Sequence, residues 1–117
     1  MQKQPTLPPI LRLAERLACE CEIAVKGFDR YYKYTVGTDI RQQAMMIWRL
    51  ANRAWLDKNH QTDYLKQLSM IIDDIKLTFL LAKRLKIFAS TAQFEMLSLL
   101  TVDLGRQCGG WLKSIKH

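Results

Sequence analysis

The chain is 117 residues long, enough for one hydrophobic core and too short for two. Apolar residues make up 49% and charged residues 25%, which excludes a disordered tail, and the longest apolar runs, such as Leu77 to Ala82, fall far short of the roughly 20 residues of a membrane span. Eighteen Lys and Arg against eleven Asp and Glu leave a formal charge of +7, a balance that attracts polyanions, nucleic acid first among them, or serves solubility alone.

The segment Met1-Gln2-Lys3-Gln4-Pro5 lacks the apolar stretch of a secretory signal, so a cytoplasmic location is expected. Pro5, Pro8 and Pro9 are the only prolines, and nothing of that kind interrupts a helix further on. Pro8 and Pro9 suit the first helical positions, and Ile10, Leu13, Leu17, Cys21 and Ala24 then recur at helical spacing, which predicts a first helix over about residues 8–26. Gly27 stops it. Phe28 to Gly37 shows no sustained helical stripe and reads as a long structured crossover. Thr38 or Asp39 can cap a second helix over 39–58, whose inward stripe is Ile40, Ala44, Ile47, Ala51 and Ala54, flanked by Trp48 and Trp55. Asn59 and His60 end it.

Thr62 is the cap candidate for a third helix over 62–87, with Leu65, Leu68, Ile72, Ile75, Phe79 and Ala82 at steps of three and four. Ser90-Thr91-Ala92-Gln93 has capping-box spacing: the serine oxygen accepts from the amide three residues on, and the glutamine reaches back to the serine's own amide. A fourth helix over 91–115 follows, with Phe94, Leu97, Thr101, Leu104, Cys108, Trp111 and Ile115 inward. Four amphipathic helices with one long connection predict an all-α, antiparallel up-down-up-down four-helix bundle in a single domain.

The residue types that carry chemistry are scattered. Cys19 and Cys21 diverge by about 200° on a helix and cannot share a metal, so the thiols read as small hydrophobes of a reducing compartment. Asp73 and Asp74 diverge by about 100° and read as a solvated face. His60 falls between helices and His117 is the last residue. The Glu-x-x-His pairs of di-iron bundles and the Gly-rich phosphate loops are both missing from the sequence. No catalytic residue, metal or cofactor is expected.

Gly105 and Gly109 share a helix face near Trp111, and each mid-helix glycine costs about 1 kcal/mol relative to alanine. Such a face admits a close neighbour, either within the chain or in another subunit. Between residues 28 and 60 six bases face three acids. Arg41, Arg49 and Arg53 form one row beside the apolar face, and Lys76, Lys83, Arg84 and Lys86 a second cluster. Such rows suit phosphates without base specificity, or are simply solvated. Tyr31, Tyr32 and Tyr34, interleaved with Arg30 and Lys33, either stack on unpaired bases or anchor the crossover.

Four stretches together resemble a known family: Phe28-Asp29-Arg30-Tyr31-Tyr32-Lys33-Tyr34-Thr35-Val36-Gly37; Ile47-Trp48-Arg49-Leu50-Ala51-Asn52-Arg53-Ala54; Ile75-Lys76 through Leu81-Ala82-Lys83-Arg84-Leu85; and Leu104-Gly105-Arg106 with Gly109-Gly110-Trp111-Leu112-Lys113. In their order and spacing the chain resembles the Avd-like four-helix bundles. These are accessory variability proteins of bacterial diversity-generating retroelements, with relatives encoded in intervening sequences of bacterial ribosomal RNA genes. The chain departs from them in having Asp29 where Pro is frequent and Leu80 where some members carry Arg.

The resemblance implies a homopentameric, barrel-like ring with a positive surface that binds RNA or DNA and associates with the element's reverse transcriptase, supporting complementary DNA synthesis during mutagenic retrohoming. Carried over by position, Arg49, Arg53, Lys76, Lys83 and Arg106 are the candidate contacts. An intervening-sequence protein of undefined role, or a structural oligomer that ignores nucleic acid, are the other expectations.

Overall fold

The computed structural model describes residues 7–115; Met1 to Pro5 and His117, considered above, lie outside the described residues. Four long helices, α1 (Pro9–Lys26), α3 (Val36–Leu56), α4 (Gln61–Arg84) and α5 (Thr91–Ser114), are joined by a short helix α2 (Arg30–Lys33) and a 3₁₀ turn (Lys58–His60). Each long helix packs against two others in the cyclic order α1, α3, α4, α5, the layout of an up-down-up-down bundle. No strand occurs among the described residues.

The helical stripes account for this arrangement. Leu17 of α1, Ile47 of α3, Ile72 of α4 and Leu104 of α5 lose nearly all contact with water and belong to one apolar cluster, each contributing about 1.5–3 kcal/mol by burial. Thr101, the buried polar residue of this core, donates its hydroxyl to Ser98 O at 2.7 Å. That bond removes the penalty of an unpaired hydroxyl.

The crossover differs from expectation. It contains a helical turn, α2, and α3 begins at Val36 rather than at 39, so neither Thr38 nor Asp39 caps it. Thr35 is the N-cap instead, with its hydroxyl donated back to Tyr31 O at 3.0 Å. Gly37, read as the residue that closes the crossover, is buried in the first turn of α3. A methyl group there would lie 2.7 Å from Val25 Cγ1 and 2.9 Å from Tyr32 O. Gly37 therefore provides space, not an unusual backbone angle, where the end of α1, the crossover and the start of α3 converge.

Boundaries shift at the other connections as well. The second long helix ends at Leu56, and Asp57 caps the 3₁₀ turn by accepting from His60 N–H at 3.3 Å. The third starts at Gln61, one residue before the expected Thr62 cap, and the Gln61 side chain donates to Ala54 O at 2.8 Å across to α3. It ends at Arg84, not Ile87, in a Schellman motif: Ile87 N–H donates to Ala82 O at 3.3 Å and Lys86 N–H to Lys83 O at 3.0 Å. Ile87 is the buried hydrophobe that accompanies this motif, and Lys86 takes the left-handed residue, φ 60°. At α5 the capping box forms with one change. Ser90 Oγ accepts from Gln93 N–H at 3.1 Å as expected, while Gln93 Oε1 accepts from Ala89 N–H at 3.2 Å rather than from Ser90.

Two substitutions probe these features with opposite signs. Gly37→Ala, although alanine is the better helix former, should destabilise by about 1–3 kcal/mol because its methyl meets a backbone carbonyl. Lys86→Gly should stabilise by about 1 kcal/mol by relieving the left-handed backbone. Urea denaturation of the two variants beside the parent chain measures both.

Candidate nucleic-acid interface

The cationic residues singled out in the sequence stand on two different flanks. On α3, Arg49 and Arg53 are exposed, and no carboxylate pairs with either among the described residues. Arg41, expected in the same row, leans to the edge shared with α1, where its Nε lies 2.9 Å from Glu22 Oε1. Both partners of that pair are half exposed, so it contributes little to stability, but it partly neutralises Arg41. Eight residues advance a helix by about 80° beyond two full turns, which is why Arg41 and Arg49 do not align.

Lys76 and Lys83 face the groove between α4 and α5. Lys76 is half-buried and its amine lies over Gly105, 3.4 Å from where a methyl on that glycine would stand. Lys83 places its amine 4.7 Å from the centre of the Phe94 ring, a cation–π contact worth about 0.5–1 kcal/mol at an exposed site. Arg84 is exposed one step around the helix, outside this groove. Arg106 is exposed on α5 and pairs with Asp103 at 3.1 Å within one helical turn.

The glycine face resolves into two parts. Gly105 is an intramolecular accommodation for Lys76. Gly109 and Gly110 have nothing within 4 Å of an added methyl, so close packing inside the chain does not account for them. Trp111 is half-buried against the core and shares a depression with Pro8, Pro9 and Trp55 at the end where α1 begins.

Sequence reasoning missed a second apolar surface. Met70, Leu77 and Leu81 on α4 and Leu99 and Val102 on α5 are each at least half exposed. Gly105 stands opposite Ile72 and Lys83 opposite Phe94, so in this antiparallel pair Leu77 is level with the stretch that holds Leu99 and Val102, and the groove with Lys76 and Lys83 lies between the α4 row and the α5 row. Its signal was present as a row at 70, 77 and 81 opposite the inward stripe, hidden because α4 and α5 are apolar on both sides.

No group of three or more His, Cys, Asp or Glu side chains converges among the described residues, and no helix there is long and apolar enough to cross a membrane. Asp73 and Asp74 are both exposed. The His60 ring contacts Asp57 Oδ2 at 2.9 Å in the exposed 3₁₀ turn. No family model, curated protein or solved structure matches the chain.

Cys19 is exposed, whereas Cys21 and Cys108 are buried, and Cys108 donates its thiol to Leu65 O at 3.3 Å. Burial, with Glu22 and Glu20 nearby, pushes the Cys21 thiol far up. Burial, then the charge of Asp73, pushes Cys108 up to about 11. Both thiols thus keep their protons in the fold at pH values where unfolded thiols, near about 8.5, lose theirs. Stability from this source is complete below the unfolded value and declines as pH rises through the folded one. The urea midpoint should fall between about pH 7 and about pH 10, and fall less in a Cys21→Ala/Cys108→Ala variant; an equal drop in both proteins would assign the loss to other groups.

Proposed function

We propose that this protein is a non-catalytic, self-associating scaffold that binds nucleic acid and a reverse transcriptase, the role of an accessory variability protein in a diversity-generating retroelement. The observation that carries the reading is the pair Arg49 and Arg53. Both are free of carboxylate partners among the described residues and mounted one turn apart on the outer face of α3. They lie within the stretch Ile47 to Ala54 that resembles the family. A rigid helix holds two guanidinium groups at a repeat that phosphates can meet without base readout, and a charge of +7 raises the encounter rate with polyanions.

Self-association is supported by the apolar outer surface of α4 and α5. Met70, Leu77 and Leu81 stand exposed in one row on α4, the kind of apolar area that marks a protein contact where it is contiguous, and open glycines at 109 and 110 permit close approach by another chain. The homopentameric ring is part of this proposal and rests on the family resemblance.

Arg49→Glu/Arg53→Glu should weaken binding to structured RNA, or to the polymerase, by at least about tenfold while leaving helicity intact. In the parent chain, RNA affinity should fall steeply with salt, about 0.9 in log–log slope for each phosphate contacted. Filter binding at two salt concentrations reads both, and mass measurement in solution reads the subunit number. A stable monomer, or a protein indifferent to RNA, DNA and polymerase in dilute buffer, rules the proposal out.

A further inference from the structure

The crossover and the α4–α5 turn, distant in sequence, meet at the end of the bundle where α1 and α4 finish. Phe88 of the turn lies edge-on to Phe28 of the crossover at 5.6 Å, and its ring also contacts Phe79 at 6.2 Å and Phe94 at 5.9 Å. This aromatic cluster ties the two segments together. Six bases are distributed around it: Lys26, Arg30 and Lys33 from α1 and the crossover, and Lys83, Arg84 and Lys86 from α4 and the turn. None of the six forms an ion pair among the described residues. The nearest carboxylates in sequence are Glu22, which is taken by Arg41, and Asp29 and Asp39.

Two residue choices at this end are not required by packing. Tyr31 and Tyr34 are 72% and 68% exposed, while Tyr32 between them packs on the core. Tyr32 and buried Phe28 anchor the crossover, and Tyr32 also contacts Tyr31 edge to face at 5.2 Å. Lys86 occupies a left-handed position where glycine is the easier residue, and retained backbone strain of this kind concentrates at binding sites. Lys83, Lys86, Phe88 and Phe94 line one shallow depression, and Lys26 and Lys33 line another beside the Glu22–Arg41 pair.

Exposed aromatic rings beside an unpaired cationic surface are the combination that binds unpaired strands: cations track the phosphates and the rings stack on bases. A duplex offers the same phosphates, but its bases are already stacked. We propose that this end of the bundle is a binding site for single-stranded nucleic acid, with Arg30, Lys33, Lys83 and Lys86 on phosphates and Tyr31 and Tyr34 stacking on bases. The inference rests on the nucleic-acid reading above and adds to the α3 flank a second surface, on the end of the bundle, that serves unpaired strands. RNA and DNA strands share this chemistry.

The test uses the full chain and labelled oligouridine and oligothymidine of about 15 nucleotides, with a duplex of equal length, followed by fluorescence anisotropy at two salt concentrations. Tyr31→Ala/Tyr34→Ala, which removes two stacking rings, should lose at least about 30-fold in single-strand affinity with the salt slope unchanged, and lose nothing for the duplex. Tyr31→Phe/Tyr34→Phe, which keeps the rings, should bind as the parent does. Lys83→Gln/Lys86→Gln should reduce the slope by about 0.7 per phosphate contact. Losses confined to one oligonucleotide identify RNA or DNA as the strand served. Both tyrosines are exposed, so circular dichroism should show unchanged helicity. Single-strand binding that survives the alanine pair but is lost in Arg49→Glu/Arg53→Glu overturns the end site and leaves the α3 flank standing. An equal loss for the duplex overturns the stacking role, and a parent chain that binds no oligonucleotide in dilute buffer overturns the end site together with the nucleic-acid part of the proposed function, leaving the polymerase contact to its own test.

Discussion

The apolar stripes around Leu17, Ile47, Ile72 and Leu104 can leave water only by facing one another, and a helix holds its outer face at a fixed angle to its inner one. Once those four side chains are covered, the direction in which every cation points is set by its distance along the chain from the nearest buried residue. Arg49 follows buried Ile47 by two positions and projects outward. Lys76 follows buried Ile75 by one and turns along the groove toward α5, where Gly105 leaves room for its amine. The surface chemistry of this protein is thus a consequence of core packing.

That constraint separates the positive charge into distinct surfaces. Arg41 is drawn to Glu22 at the α1 edge and Arg106 to Asp103 on its own helix, while Arg49 and Arg53 remain unpaired among the described residues. Between the α3 flank and the α4–α5 groove runs an outer surface with exposed Met70, Leu77 and Leu81. That apolar row and the unpaired arginines occupy different faces, so the self-association and the polyanion binding proposed above do not compete for the same residues.

The end of the bundle follows a different logic. Phe28, Phe79, Phe88 and Phe94 come from four separate segments and form one contact cluster. The Schellman motif delivers Phe88 to it by turning the chain at Lys86. A turn that needs a left-handed residue and carries a lysine there combines local strain with a cation at the rim of an aromatic platform.

Helix number, order and inward stripes were legible in the sequence because a period of 3.6 residues is written in the chain itself, as in Ile40, Ala44, Ile47, Ala51 and Ala54. The Ser90 cap was legible for the same local reason. Local pattern could not reveal that Gly37 is wedged against Val25 and Tyr32, since that contact depends on where α1 ends relative to α3. Nor could it separate Arg41 from Arg49, sort the two roles of Gly105 and Gly109, or bring Lys33 and Lys86 to one end of the molecule. By itself the sequence determined four amphipathic helices and an excess of positive charge; only the tertiary structure decided which charges are paired and which share a surface. The physical reason is that burial is governed by residues close in sequence, whereas the neighbours of an exposed charge come from whichever helix the core sets beside it.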